Sequence, residues 1–247
     1  IDVGMSLACG VVVPLAMFTR QVHALEQMTA VWLLPLVASE VAAVTGGMLV
    51  PHLDGSGQQM TVLVVSLMLW SCSVPMALGV IVVLFLRLVL HKLPDTSMAA
   101  SCWLALGPIA TGALGMLVFS QVGPDVFAAR GLGALSDAIG GACLLAAILF
   151  WGYGAWWFAI ALAITLHYIR RGLSFNLGWW GYTFPLGVFA VCTRKLGQVI
   201  ELNFFSFSGG FLVMALAIIW ALVATKTLAG LCRSARPELP GLLAASR

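Results

Sequence analysis

One of the two longest uncharged stretches of this chain is the feature that most constrains its fold. Between Asp54 and Arg87 lie 32 consecutive residues without a charged side chain. A helix needs about 20 apolar residues to cross the hydrocarbon core of a bilayer, at a rise of ~1.5 Å per residue. This stretch therefore predicts a membrane-spanning helix that is long enough to tilt or to protrude from the bilayer.

The composition assigns the whole chain to the same class. Hydrophobic residues make up 62% of the 247 residues and charged residues 9%, whereas about a quarter of the residues in a soluble domain are charged. The net charge of +3 is small and the basic residues are scattered, so nothing indicates a nucleic acid as partner. We expect an all-α polytopic membrane protein embedded in the lipid bilayer.

Charged residues divide the chain into seven apolar segments, and each is predicted to be one transmembrane helix. Together they form a single transmembrane domain over residues 1–232, followed by a tail over 233–247. The helices are predicted at 3–19, 30–51, 60–90, 98–122, 135–169, 178–194 and 204–228. The chain starts at Ile1, within an apolar segment and without the features of a signal peptide, so we expect the N-terminal part of a longer protein to be missing.

The basic residues predict how the helices are oriented. If the seven helices alternate in direction, nine of the twelve Lys and Arg residues fall on one side. Cytoplasmic connections are enriched in Lys and Arg, so this side, with the C-terminus and its tail, is predicted to be cytoplasmic. Arg87, Arg170 and Arg171 are expected to be ordinary anchors there, whereas Arg194 and Lys195 fall on the external side.

A repeat links the second, fourth and sixth segments, because each contains a Trp followed by a proline three to five residues later. The prolines are Pro35, Pro108 and Pro185, spaced by 73 and 77 residues. A proline removes a helical hydrogen bond, and lipid offers no replacement partner. These broken helices are therefore predicted to lie inside the bundle, with the long regular helices outside. The aromatic cluster at 151–158, on a long outer helix, is expected to contact lipid or another subunit.

Glycines accompany the prolines in the inner segments. Gly107 and Gly112 lie in the fourth segment and Gly187 lies in the sixth. Residues without a side chain either let helices approach closely or leave space for a permeant. Both roles are open for these three glycines, and together with the prolines they are the candidate pore-lining positions.

Two motifs of the chain resemble a known family. One is 91–94 (HKLP) followed by 106–115 (LGPIATGALG), and the other is 175–187 (FNLGWWGYTFPLG). They are similar to the tellurite-resistance/dicarboxylate transporter family, which includes TehA-type proteins, fungal malate transporters, sulfite efflux pumps and the slow-type anion channels of plant guard cells. Both motifs look closest to the sulfite-efflux branch.

The resemblance implies a fold and a function. The fold is ten helices in five hairpins, with the odd helices around a central pore, and the seven segments would be helices four to ten. The function is membrane transport of small anions, sulfite or a C4-dicarboxylate such as malate, by a homotrimer in the plasma (inner) membrane. The family also implies a phenylalanine that occludes the pore from the ninth helix. By motif position this is Phe184, for which packing between helices is the alternative role.

Three charged residues are further candidates for a role in transport. Glu40 lies near mid-membrane in an otherwise uncharged run. A charge at such a position raises the free energy of membrane insertion by about 2.5–3.5 kcal/mol. Glu40 is expected to face the interior, either as a proton site coupled to transport or as a protonated, structurally paired side chain. Arg194 and Lys195 either give the pore mouth a positive potential that attracts anions or extend to the interface as amphipathic side chains do.

Motifs for catalysis or cofactor binding are not found in the sequence. The four histidines lie near predicted helix ends without metal-ligand spacing, and the six cysteines form no C-x-x-C pair. We therefore expect neither an enzyme nor a cofactor or metal site. A passive channel and a proton-coupled carrier remain open. A membrane scaffold is disfavoured, because it gains nothing from broken inner helices.

Overall fold

The structure is a computed structural model that describes residues 2–234. The described residues are helical and contain no strand, which confirms the predicted all-α fold. Of the predicted tail, residues 235–247 lie outside the described part. The seven α-helices are α1 (Asp2–Arg20), α2 (Leu34–Leu49), α3 (Ser56–His91), α4 (Leu106–Ala128), α5 (Gly133–Arg170), α6 (Thr183–Ile200) and α7 (Asn203–Ser234).

Six helical stretches of the described chain are long and apolar enough to cross a membrane. The exception is α6, which has 18 residues and includes Arg194 and Lys195. By contrast α3 and α5 have 36 and 38 residues. At ~1.5 Å per residue they extend well beyond a ~30 Å hydrocarbon core, as the long uncharged runs predicted.

Consecutive helices pack as hairpins, in which α2 pairs with α3, α4 with α5, and α6 with α7. The helix α4 also packs against both α2 and α6. In the most apolar 18 residues of the α4 stretch 83% are buried, and in the α2 stretch 50%, whereas the values for α3, α5 and α7 are 33%, 11% and 17%. The predicted division into inner proline-containing helices and outer long helices is therefore confirmed for α2 and α4.

Each of the three repeat prolines marks a change of helix type. Short 3₁₀-helical segments at Ala30–Leu33, Thr96–Ala105 and Leu177–Tyr182 run directly into α2, α4 and α6. The prolines then lie at the second or third residue of the α-helix. The first turn of an α-helix has N–H groups without a helical partner, so a proline fits there without loss. The breaks are thus 3₁₀-to-α junctions and not kinks at mid-helix.

Polar side chains fix the starts of two of these 3₁₀ segments. The Asp95 carboxylate accepts a hydrogen bond from Ser97 N at 2.8 Å, and this bond lowers the pKa of the Asp95 side chain. Asn176 Oδ1 accepts from Gly178 N at 2.8 Å, and its Nδ2 donates to Ser97 O at 3.0 Å. The segments therefore begin side by side at the same end of the bundle.

Tryptophan N–H groups link the outer helix α5 to inner elements. Trp151 Nε1 donates to Thr193 Oγ1 at 2.8 Å, and Trp157 Nε1 donates to Cys102 O at 2.9 Å. The Trp157 side chain is 1% exposed. The expectation that the cluster at 151–158 contacts lipid or another subunit is wrong for Trp157, because its indole is part of the buried core that includes residues of α4.

Arg87 also differs from its expected role as an ordinary anchor. Its side chain is buried, and it donates from Nε to Glu26 O at 3.0 Å and from Nη1 to Lys92 O at 2.6 Å. Nη2 donates to Glu26 O as well. The guanidinium has five N–H donors in a fixed fork, which suits two carbonyls. Arg87 thereby ties the end of α3 to the connection between α1 and α2.

Candidate functional site

Phe184 lies in the first turn of α6, between a 3₁₀ segment and Pro185. Its ring is 45% exposed, although the next two residues of the helix are buried. The ring stands over the first turn of α4, where a Cβ built on Gly107 would lie 3.5 Å from Phe184 Cε1. The fold thus brings together Phe184, Pro185 and Gly107 from two helices that are distant in sequence.

Phe184 begins a row of exposed residues along α6. Val191, Arg194 and Gln198 continue this row, and spacings of seven, three and four residues put them on one side of the helix. Arg194 follows Phe184 by about 15 Å along the axis at the α-helical rise. We call this side the open face of α6. It is apolar at its start and basic towards its end.

Arg194 and Lys195 differ in their surroundings. Arg194 is exposed, and its stem lies against α7, where a Cβ built on Gly209 would be 2.6 Å from Arg194 Cγ. Lys195 is half-buried. Neither has a carboxylate partner within residues 2–234. The described residues also bring no three His, Cys, Asp or Glu side chains together as a metal site requires.

Glu40 lies in α2, is fully buried, and is paired with α3. Its Oε1 is 2.9 Å from Ser73 Oγ, which lies 2.6 Å from Leu36 O. A serine hydroxyl has one proton to donate. Both bonds are satisfied when Ser73 donates to Leu36 O and a protonated Glu40 donates to Ser73. The geometry therefore fits a neutral carboxyl, which both expected roles of Glu40 allow.

Thr111 in α4 is a polar residue that sequence reasoning missed. It is 2% exposed, and neither its Oγ1 nor Glu40 Oε2 has a hydrogen-bond partner among the described residues. The helices α2 and α4 pack so that Val44 faces Gly115, an offset of 71 residues. The same offset relates Glu40 of α2 to Thr111 of α4 in the sequence. The signal in the sequence is a hydroxyl 71 residues after the only acid of the second segment, close to the 73-residue spacing of Pro35 and Pro108.

The two remaining candidate glycines contact outer helices. A Cβ built on Gly112 would lie 3.3 Å from Val74 of α3, and Trp70 Nε1 donates to Gly112 O at 3.1 Å. A Cβ on Gly187 would lie 3.5 Å from Leu216 of α7. Of the two roles expected for glycines, these positions support close helix approach. Of the prolines, Pro108 and Pro185 are buried and Pro35 is half-buried.

Comparison with known proteins identifies relatives of this chain. It is 34% identical over 238 residues to the sulfite efflux pump SSU1 of Arthroderma benhamiae, covering 94% of this chain and 62% of that protein. It is 26% identical over 226 residues to the uncharacterized transporter MJ0576 of Methanocaldococcus jannaschii, covering 91% and 61%. It is also 31% identical over 122 residues to the malic acid transport protein of Schizosaccharomyces pombe, covering 49% and 26%. No solved structure matches the chain.

A family model extends these similarities over nearly the whole sequence. The model described as voltage-dependent anion channel, SLAC1, matches residues 1–228. The chain spans 62% of the length of the sulfite efflux pump that it matches. The family resemblance predicted from the two motifs is therefore confirmed: the chain belongs to the voltage-dependent anion channel (SLAC1) family.

Proposed function

We propose that this chain forms part of a membrane pathway for small anions, sulfite or a C4-dicarboxylate such as malate. The observation that carries the proposal is the open face of α6. This face has a half-exposed Phe184 at one end and Arg194, without a carboxylate partner among the described residues, at the other. Membership of an anion-channel family supports the proposal, as do relatives named for sulfite efflux and malic acid transport.

The physical basis for anion preference is an environment without fixed negative charge. The exposed residues of the open face, from Phe184 to Gln198, include no acid. Arg194 and Lys195 raise the local concentration of anions at one end. At the other end, α2, α4 and α6 begin together, and helix N-termini present partial positive charge. An anion moving along this face meets basic side chains at one end and helix N-termini at the other.

Phe184 is proposed to control passage. One side of its ring lies over Gly107, next to Pro185. The other side is exposed, so the ring has room to change its rotamer. A large side chain at Gly107 would fix the ring in place. The gate therefore depends on an aromatic ring opposite a residue without a side chain.

We further propose a homotrimer in the plasma (inner) membrane with the C-terminus in the cytoplasm. The excess of Lys and Arg at the ends of α1, α3, α5 and α7 supports this orientation. Reporter fusions to the C-terminus test the orientation, and light scattering of the purified protein tests the assembly. A periplasmic or extracellular reporter signal, or a monomer mass, would contradict the respective part.

Anion flux from liposomes tests the function. The full-length protein is reconstituted, and efflux of sulfite, malate, nitrate and chloride is measured down equal gradients. We expect at least sulfite or malate to cross, and Phe184→Ala to raise the leak. Phe85→Ala on the outer helix α3, where the ring has the same exposed fraction of 45%, is the matched control and should leave the flux unchanged. Flux of none of the four anions would overturn the function, and an unchanged leak in Phe184→Ala would overturn the gate.

A proton-coupled carrier is the second candidate, and the Glu40 hydrogen bonds favour it. A carboxyl that donates to Ser73 is a group that can release a proton when its surroundings change. Glu40→Gln keeps an N–H donor for Ser73 but has no proton to exchange. In a coupled carrier this variant loses the dependence of flux on a pH gradient, whereas in a passive channel the dependence is unchanged. Ser73→Ala is the control for the loss of the bond alone.

A further inference from the structure

An apolar groove lies between the outer helices α5 and α7, with a 3₁₀ segment at its inner end. Its volume is about 260 Å³. The side chains that line it are almost all apolar, and the two indoles Trp103 and Trp179 form part of its wall. The aliphatic residues lining it are Leu162, Leu166, Ile169, Leu173, Ile218, Ile219 and Leu222.

The groove faces the surroundings of the bundle. Leu166 and Ile169 of α5 are exposed, and so are Ile218 and Leu222 of α7. Both helices are among the stretches that are apolar and long enough to cross a membrane. Lipid chains are the apolar molecules that surround such helices, so the chemistry of the groove fits an acyl chain.

A cation lies beyond one end of the groove. Lys226 follows Leu222 by one turn of α7 and is exposed, with its Nζ 5.7 Å from the centroid of the Phe175 ring. Leu173, two residues before Phe175, belongs to the groove wall. Lys226 has no carboxylate partner within the described residues. The groove therefore ends at a positive charge on the side of the bundle where basic residues are most frequent.

We propose that this groove binds one acyl chain of an anionic phospholipid, whose phosphate is held by Lys226. An acyl chain gains little by leaving one apolar environment for another. The charge of the headgroup therefore decides which lipid occupies the site. Basic residues between transmembrane helices select anionic headgroups in this way. The inference does not depend on the proposed transport function.

The occupant would also contact the segment that leads to the candidate gate. Trp179 and Tyr182 line the groove, and their rings are 5.9 Å apart in an edge-to-face arrangement. Tyr182 is also 5.6 Å from Trp103. Only Thr183 separates Tyr182 from Phe184 in the chain. A lipid chain at this position stabilises the 3₁₀ segment in its observed packing.

Quenching of tryptophan fluorescence by brominated lipids tests the site. The full chain is reconstituted into phosphatidylcholine vesicles that contain a small fraction of brominated phosphatidylglycerol or, in parallel, brominated phosphatidylcholine. We expect stronger quenching by the phosphatidylglycerol. Lys226→Gln should abolish this difference, and Trp179→Phe should reduce it because it removes a fluorophore of the groove. Arg20→Gln, an exposed cation at the end of α1, is the matched control and should retain it.

Each other result overturns the proposal. Equal quenching by the two lipids in the unmodified protein would exclude headgroup selection. A difference that survives in Lys226→Gln would remove the phosphate contact. If Arg20→Gln also loses the difference in quenching, the lipid preference comes from general surface charge and not from the groove. Because Lys226 is exposed, its replacement leaves the packed bundle intact, and the elution volume of each variant in detergent checks this.

Discussion

The helices α4 and α6 begin alike but end up in different surroundings. Each follows a 3₁₀ segment that contains tryptophan, and each has a proline as its third residue. Yet α4 is buried along most of its length, whereas α6 keeps one open face. The difference follows from position, because α4 packs against α2, α3, α5 and α6. The two helices also differ in charge, since Asp125 is the single charge of α4 and α6 contains Arg194 and Lys195.

The largest effect should come from making a cavity in α4. Leu117 is 0% exposed, whereas Val191 on the open face of α6 is 49% exposed. We expect Leu117→Ala to lower the free energy of unfolding by about 2–5 kcal/mol, and Val191→Ala to change it by less than about 0.5 kcal/mol. Unfolding in mixed detergent micelles, followed by circular dichroism, measures both. Similar losses in the two variants would show that the helices are equally packed.

The next largest difference in stability between the two helices is expected when a methyl group is added to a glycine of each. A Cβ at Gly115 of α4 would lie 3.0 Å from Trp70 Cδ1, whereas one at Gly187 of α6 would lie 3.5 Å from Leu216. Gly115→Ala should therefore destabilise the protein by about 1–3 kcal/mol through overpacking. Gly187→Ala makes an ordinary contact and should stay within about 0.5 kcal/mol. The same unfolding assay compares them, and a neutral Gly115→Ala would mean that Trp70 moves aside freely.

A smaller effect is expected where α6 is linked to α5. Trp151→Phe removes the N–H that donates to Thr193 Oγ1 and should cost about 0.5–1.5 kcal/mol. Thr193→Val removes the acceptor. Because the two side chains share one bond, the double variant should cost less than the sum of the single variants. Strict additivity in this cycle would show that the bond contributes nothing to holding α6 in place.

The smallest effect on stability should come from the basic end of the open face. Lys195→Gln is expected to leave unfolding unchanged within about 0.5 kcal/mol. If the open face is an anion pathway, removing the positive charge of Lys195, which lies beside Arg194 of that face, should lower anion flux at low ionic strength. The difference from the unmodified protein should vanish towards 1 M salt, where the screening length is about 3 Å. A flux deficit that persists at high salt would indicate a structural defect in place of an electrostatic one.

Much of the fold could be predicted from the sequence, because it depends on local composition. The third helix was expected at 60–90 and is Ser56–His91. The inner position of α4 was expected from its proline and its glycines. The form of the breaks could not be predicted in the same way. A proline indicates that a helix changes at that point, but it does not say whether the preceding turns are 3₁₀-helical or absent.

The parts that the sequence could not supply depend on contacts between distant helices. The partner of Glu40 is Ser73, 33 residues further along, and nothing local to either residue indicates the pair. Arg87 is buried because two carbonyls from separate connections meet its guanidinium. An indole such as that of Trp157 suits a lipid contact as well as a helix interface. Its hydrogen bond to Cys102 O shows that it lies at a helix interface. The position of Phe184 came from a motif, and its role as a gate stays a prediction.

The 3₁₀ segment ahead of Pro185 has a consequence for distance and rotation. Six residues extend about 12 Å in 3₁₀ form and about 9 Å in α form, and each residue turns the chain by about 120° or about 100° respectively. Over Leu177–Tyr182 the two windings thus differ by about 3 Å in depth and about 120° in direction. The winding of this short segment therefore sets how deep Phe184 lies in the membrane and which way its ring points.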